Sequence, residues 1–128
     1  MSGAIALADA AHVAFVPIND GAKATAFYRD VLGLRLVEDQ APFALVFDLH
    51  GTMLRATFAG EFTPQKFTVL GWQVGDIDAA VEGLTAAGVV FNKYPWMQGE
   101  GVVWTAPGGT RIAWFTDPFG NVLSLQSA

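Results

Sequence analysis

Three punctuation marks recur along this chain in one order, and no other feature constrains its fold as tightly. Asp20 and Asp76, 56 positions apart, each precede an apolar-periodic stretch. A short carboxylate at such a position satisfies the free N–H groups of a helix's first turn. Gly33 and Gly88, 55 apart, follow those stretches, where a glycine ends a helix in the left-handed conformation. "DLHG" at 48–51 and "DPFG" at 117–120, 69 apart, are Asp-x-x-Gly turns, each leading into a final alternating run. The larger last offset is absorbed by a longer segment around 93–110. One unit, strand–helix–three strands, is therefore predicted twice, over 12–58 and 67–127. Such a unit buries its sheet poorly alone, but two copies share one core. The expectation is a single α+β domain over 1–128, built as two βαβββ modules whose sheets curve around a cup-shaped cavity.

Within that frame, "HVAFVP" at 12–17 reads as a strand, and Asn19 or Asp20 caps the helix after it. Ala24, Phe27, Tyr28, Val31 and Leu32 make one helical stripe. Strands are predicted at 34–38, 43–49 and 52–58. In the second copy they fall at 67–74 and from Val89 into "VVFNKY". A hairpin of 101–106 and 110–116 follows, turning at Pro107-Gly108-Gly109, and "NVLSLQ" closes the set. In the second helix, Ile77, Ala80, Val81 and Leu84 share a face.

Composition removes several classes of function. The chain has 128 residues, a net charge of −5 and no lysine- or arginine-rich cluster, which speaks against nucleic acid and anionic membrane surfaces as partners. It has no cysteine, so disulfides, thiolate metal sites and cysteine nucleophiles are excluded. Hydrophobic residues make up 52%, yet no apolar run approaches the roughly 18 residues of a membrane span. The excess is expected in a pocket or a subunit interface. "MSGAIALADAAH" lacks the basic start and long apolar core of a signal peptide, which points to the cytoplasm.

"FYRDVLGLRLV" at 27–37, "GDIDAAVEGLTAAGV" at 75–89 and "WFTDPFGNVLSL" at 114–125, taken in order, resemble the vicinal oxygen chelate superfamily. That superfamily holds glyoxalase I, extradiol dioxygenases and the fosfomycin- and bleomycin-resistance proteins. The resemblance spans nearly the whole chain and implies paired βαβββ modules, usually a homodimer, with a site in each cupped sheet. It also implies that metal-using members take one ligand from the first and one from the last strand of each module, typically His, Gln or Glu. Those positions here are Val13, Arg55, Val69 and Ser124. Two are apolar, one is a cation that repels a metal, and one is a weak ligand. Neither a metal nor another cofactor is expected. His12 adjoins Val13 but points to the opposite face of its strand, and His50 falls in an exposed turn.

Without a metal, the expected site becomes a binding cup. Arg55, Gln73 and Ser124 have the strand parity of the cup interior, and a guanidinium there suits an anion. Val13, Phe15 and Val69 are the apolar wall, and Tyr94, Trp96, Met97 and Trp104 in and after "NKYPWMQGEGVVW" are the aromatic one. That stretch reads equally as a lid or as a surface loop with an apolar anchor. Trp72 and Trp114 are expected on the helix-packed or interface face. Ser124 has no histidine partner on its face and no nucleophile elbow, so it is not read as a nucleophile. Three classes of function remain. The first is a protein binding a small apolar or aromatic ligand, with an anionic ligand allowed. The others are a metal-dependent lyase, isomerase or dioxygenase, and a structural dimer with a vestigial pocket.

Overall fold

The computed structural model describes residues 6–128. Residues 1–5, the start of the "MSGAIALADAAH" stretch, lie outside it. The first unit runs β1 (Val13–Ile18), α1 (Gly21–Ala24, continuing as a π-helix over Thr25–Val31), β2 (Arg35–Gln40), β3 (Ala44–Leu49) and β4 (Thr52–Phe58). The second runs β5 (Thr68–Val74), α2 (Ile77–Ala86), β6 (Trp104–Thr105), β7 (Arg111–Thr116) and β8 (Val122–Ser127). Each forms a four-stranded sheet of the same topology, β1-β4-β3-β2 and β5-β8-β7-β6, with a parallel first pair and antiparallel remainder. This is the α+β arrangement of two βαβββ modules. No helix among the described residues is long and apolar enough to cross a membrane.

Local chemistry explains the repeat. Asp20 accepts from the Lys23 N–H and Asp76 from the Ala79 N–H, each at 3.0 Å, so both are N-caps. Gly33 and Gly88 end the helices at φ +80° and +102°, where a Cβ would be strained. Three details depart from the sequence reading. The first strand continues through Pro17, which an edge strand tolerates because its missing N–H costs no ladder bond there. The first helix widens into π bonding (Leu32 N–H to Phe27 carbonyl, 2.9 Å), which lets the neighbours Phe27 and Tyr28 both reach the core. "VVFNKY" makes only the isolated bridge Phe91–Phe115, because the chain then leaves the sheet into the loop containing Pro95.

One buried cluster joins the two units. Val16, Ile18, Leu54 and Ala56 of the first sheet, and Ala113, Phe115, Leu123 and Leu125 of the second, turn one face toward the helices. Tyr28 packs on Phe47 at 5.7 Å between centroids, and Phe27 reaches across to Phe115 at 6.4 Å. Burial of each such side chain contributes roughly 1.5–3 kcal/mol.

The "DPFGN" turn fastens the units with polar bonds. The Tyr28 hydroxyl donates to Asp117 at 2.6 Å, and Asn121 Nδ2 donates both to Asp117 and to the Pro17 carbonyl on the edge of β1. Asp117 also accepts the Phe119 and Asn121 N–H groups. Burial, and then the neighbouring Asp117 carboxylate, hold the Tyr28 phenol far above its usual pKa, so it remains a donor. Asp117 and Asn121 are therefore structural, and every polar group they bury has a partner.

Candidate functional site

With one face of each sheet sealed against the helices, the other face is the candidate site. Strand alternation assigns it. In the first sheet, Val13 and Phe15 of β1 lie beside Met53 and Arg55 of β4, and Val46 of β3 pairs with Arg55. Phe15 is 61% exposed, and Val13 and Met53 are exposed too, so this apolar face is uncovered in the single chain. The Arg55 guanidinium donates to Gln40 Oε1 at 2.8 Å, and among the described residues no carboxylate pairs with it. Thr57, two residues on along the same face, has a buried hydroxyl with no partner among them.

In the second sheet, Ser124 pairs with Gly71 on one side and Trp114 on the other. A Cβ on Gly71 would come within 2.6 Å of Ser124 Oγ, so the glycine makes room for that buried hydroxyl. Gln73 and Gln126 pair on the same face, Ile112 pairs with Gln126, and Trp104 with Ile112. The β5–β8 half of this face is a trough of about 480 Å³ that Thr68, Gly71, Gln73, Ser124 and Gln126 line. The β6–β7 half is aromatic. Trp104 and Trp114 lie 6.0 Å apart there, under Tyr94 and Trp96 from the 92–101 loop. Trp114 Nε1 donates to Thr68 Oγ1 at 3.1 Å and bridges the two halves.

The loop is tied down. Lys93 Nζ donates to the Gly99 and Gly101 carbonyls at 2.7 and 2.6 Å, Asn92 donates to the Tyr94 hydroxyl, and Met97 is buried. It thus has the apolar anchor that one sequence reading expected.

The residues singled out from the sequence separate into two groups. Gln73, Ser124, Tyr94, Trp96 and Trp104 come to the second sheet's open face and Val13, Phe15 and Arg55 to the first sheet's, while Val13 and Gln73 also meet, with His12 and His50, in a cavity of about 890 Å³ between the units. No hydrogen bond among the described residues joins Arg55 to Ser124 or Gln73. Val69 falls in a bulge, where the ladder passes from Thr68–Val122 to Leu70–Leu123; it lines the trough with Gln73 and Ser124 and also packs against the core. Trp72 stacks on Phe115 at 6.4 Å, on the helix face, and Trp114 lies on the open face. Pairing 116 with 122 across the "DPFG" turn places 114 opposite 124, so the hairpin's symmetry held that signal. Gln40 was beyond reach of simple parity, because a bulge between Leu36 and Glu38 resets β2.

The donor set is unsuited to a divalent metal. Val13, Arg55, Val69 and Ser124 offer neither imidazole nor carboxylate. No cluster of three or more His, Cys, Asp or Glu side chains able to hold a metal occurs among the described residues.

Two βαβββ units fused through one helix-side core define the class of paired-module α+β proteins. The chain belongs to the Glyoxalase/Bleomycin resistance protein/Dioxygenase superfamily, whose family model matches residues 10–125. Solved structures agree in fold. A protein assigned to the glyoxalase family from Bacillus anthracis superposes with a TM-score of 0.75 at 18% identity, covering 99% of this chain and 98% of that one. The lactoylglutathione lyase of Agrobacterium tumefaciens gives 0.74 at 19% identity, covering 94% of each chain. A superfamily member from Sphaerobacter thermophilus gives 0.70 at 27%, covering 92% of this chain and 96% of that one. Among curated proteins, none matches this chain.

Proposed function

We propose that this protein binds a small apolar or aromatic ligand on its open sheet faces and works without the metal used by catalytic members of its superfamily. The observation that carries this reading is the donor set: the four strand positions expected to ligate a metal are Val13, Arg55, Val69 and Ser124. Around them are apolar and aromatic walls with a few hydrogen-bonding groups, the usual make-up of a small-molecule site. Ser124 and Gln73 supply hydrogen bonds in the second sheet, with Tyr94, Trp96 and Trp104 as its aromatic wall. Val13 and Phe15 supply the apolar wall of the first. Arg55, whose hydrogen-bond partner is the neutral Gln40, retains a charge for a carboxylate or similar anion.

The cup is completed across a homodimer in the cytoplasm, one chain's first sheet facing the other chain's second. The exposure of Val13, Phe15 and Met53 supports that arrangement, since an apolar sheet face left in water is costly. Light scattering after gel filtration tests it, and a monomer at micromolar concentration contradicts it.

Metal content tests the central claim. Protein equilibrated with Mn²⁺, Ni²⁺, Zn²⁺ or Fe²⁺ and then desalted is expected to retain none stoichiometrically. One tightly held ion per chain overturns the reading in favour of a metal-dependent lyase, isomerase or dioxygenase. A thermal-shift screen of aromatic acids and amides then separates a working site from a vestigial one. Arg55→Ala is expected to abolish shifts given by acids and leave those given by neutral amides. Acid shifts unchanged in that variant place the anion elsewhere.

A further inference from the structure

Trp96 is an anomaly on the second sheet's open face. Its indole lies parallel to the Tyr94 ring, 5.6 Å away at 3°, and meets Trp104 and Trp114 edge-on at 5.1 and 5.7 Å. Three ring partners would normally bury an indole, yet in the single chain Trp96 is 53% exposed, on the side that the proposed dimer turns toward its cup. The other three rings hold their places independently of it. Tyr94 contacts Trp114 at 5.8 Å, Trp104 contacts Trp114 at 6.0 Å, and Trp114 is pinned to Thr68 through its indole N–H. Subtracting Trp96 therefore opens the space between Tyr94 and Trp104, with Trp114, which contacts both of them, as its floor.

We propose that Trp96 is a built-in occupant of the binding slot, and that a planar aromatic ligand binds by displacing its indole. The proposal rests on the reading of this face as the ligand site and deepens it by naming the ligand class. Displacement requires rotation of one side chain, not opening of the loop. Met97 next to it is buried, and Lys93 fastens the far side of the loop to the Gly99 and Gly101 carbonyls. The slot adjoins the trough of Gln73, Ser124 and Gln126, so a ligand stacked in it can direct a hydrogen-bonding substituent there. The trough's lining residues are all uncharged. The class that fits is a flat one- or two-ring aromatic with a neutral polar group, such as an amide.

Displacing the indole breaks its ring pairings with Tyr94, Trp104 and Trp114, and that sets the cost. Each aromatic pair contributes a modest amount, and three together make an occupied slot lower apparent affinity by about tenfold or more. The probe is 2-naphthamide, with cyclohexanecarboxamide as its non-planar control, titrated into the wild-type protein, Trp96→Ala and Trp104→Ala. Binding of naphthamide alone is expected, about tenfold or more tighter in Trp96→Ala and lost in Trp104→Ala. Acrylamide quenching of tryptophan emission is expected to rise on binding in wild type, as the indole enters water, and not in Trp96→Ala. Weaker or unchanged binding in Trp96→Ala overturns the proposal and leaves the site standing, with Trp96 as a wall. Failure of naphthamide to bind any of the three proteins overturns both the slot and the aromatic-ligand reading beneath it.

Discussion

On β4, Leu54 and Ala56 enter the core while Met53 and Arg55 look away from it. On β8, 69 positions later, Leu123 and Leu125 enter while Val122 and Ser124 look away. The inward residues stay aliphatic because both must fill space under the same helix layer, where a polar atom without a partner costs several kcal/mol. The outward residues obey no such rule, and the two faces have separated in character. The first is apolar and cationic around Arg55, the second neutral and aromatic around Trp114. Two copies of one backbone thus share the chemistry that folding requires and differ in the chemistry that a ligand meets.

The turns differ in the same way. Asp48 and Asp117 open equivalent Asp-x-x-Gly turns, but among the described residues the Asp48 side chain accepts only the Gly51 N–H, at an exposed site, whereas Asp117 gathers four donors in the interior. Asp117→Ala is expected to cost on the order of 4 kcal/mol, and Asp48→Ala about 1 kcal/mol. Urea denaturation of both variants measures the gap. Equal losses would mean that the interior bonds add nothing to the second turn.

A smaller effect separates the open faces. Gly71 and Phe15 are equivalent by the 56-residue offset, yet only Gly71 sits under a buried hydroxyl. Gly71→Ala should destabilise by about 1–3 kcal/mol through crowding of Ser124 Oγ. Adding Ser124→Ala should restore most of the loss, because the nearest atom then left is the Ser124 carbonyl oxygen at 3.4 Å, an ordinary contact distance. A double variant no more stable than Gly71→Ala would locate the strain elsewhere.

The clasp between units also has a pH signature. The Tyr28 pKa is raised in the folded state, chiefly by burial, above the value of about 10 expected when unfolded. Its contribution to stability is therefore complete below about pH 10 and is lost above that by about 1.4 kcal/mol per pH unit, as the unfolded phenol ionises first. Tyr28→Phe should lower stability at neutral pH and flatten the alkaline decline by that slope. Parallel alkaline limbs for the two proteins would show that the phenol titrates normally. The smallest effects belong to the caps, where Asp20→Ala and Asp76→Ala should each cost about 1 kcal/mol, measured by thermal unfolding. A large difference between them would break the equivalence of the two helices.

The spacing of Asp20 with Asp76, Gly33 with Gly88 and "DLHG" with "DPFG" was enough to specify two like units and the order of their strands, because caps and turns are local chemistry. The apolar stripes named the core for the same reason: period alone tells a helix or strand which side to bury. Site residues were legible where strand parity ran unbroken, as at Arg55 and Ser124. Gln40 was not legible in this way, because a bulge between Leu36 and Glu38 resets the parity of its strand. No local pattern distinguished Asp117 as a buried clasp from Asp48 as an ordinary turn. That depends on Tyr28 and the Pro17 carbonyl arriving from the first unit to meet Asp117 and Asn121. The meeting of Tyr94, Trp96, Trp104 and Trp114 over one sheet is of the same kind. Composition and alternation could nominate each ring, but only folding brought the four together, since long-range packing selects which of many apolar residues become neighbours.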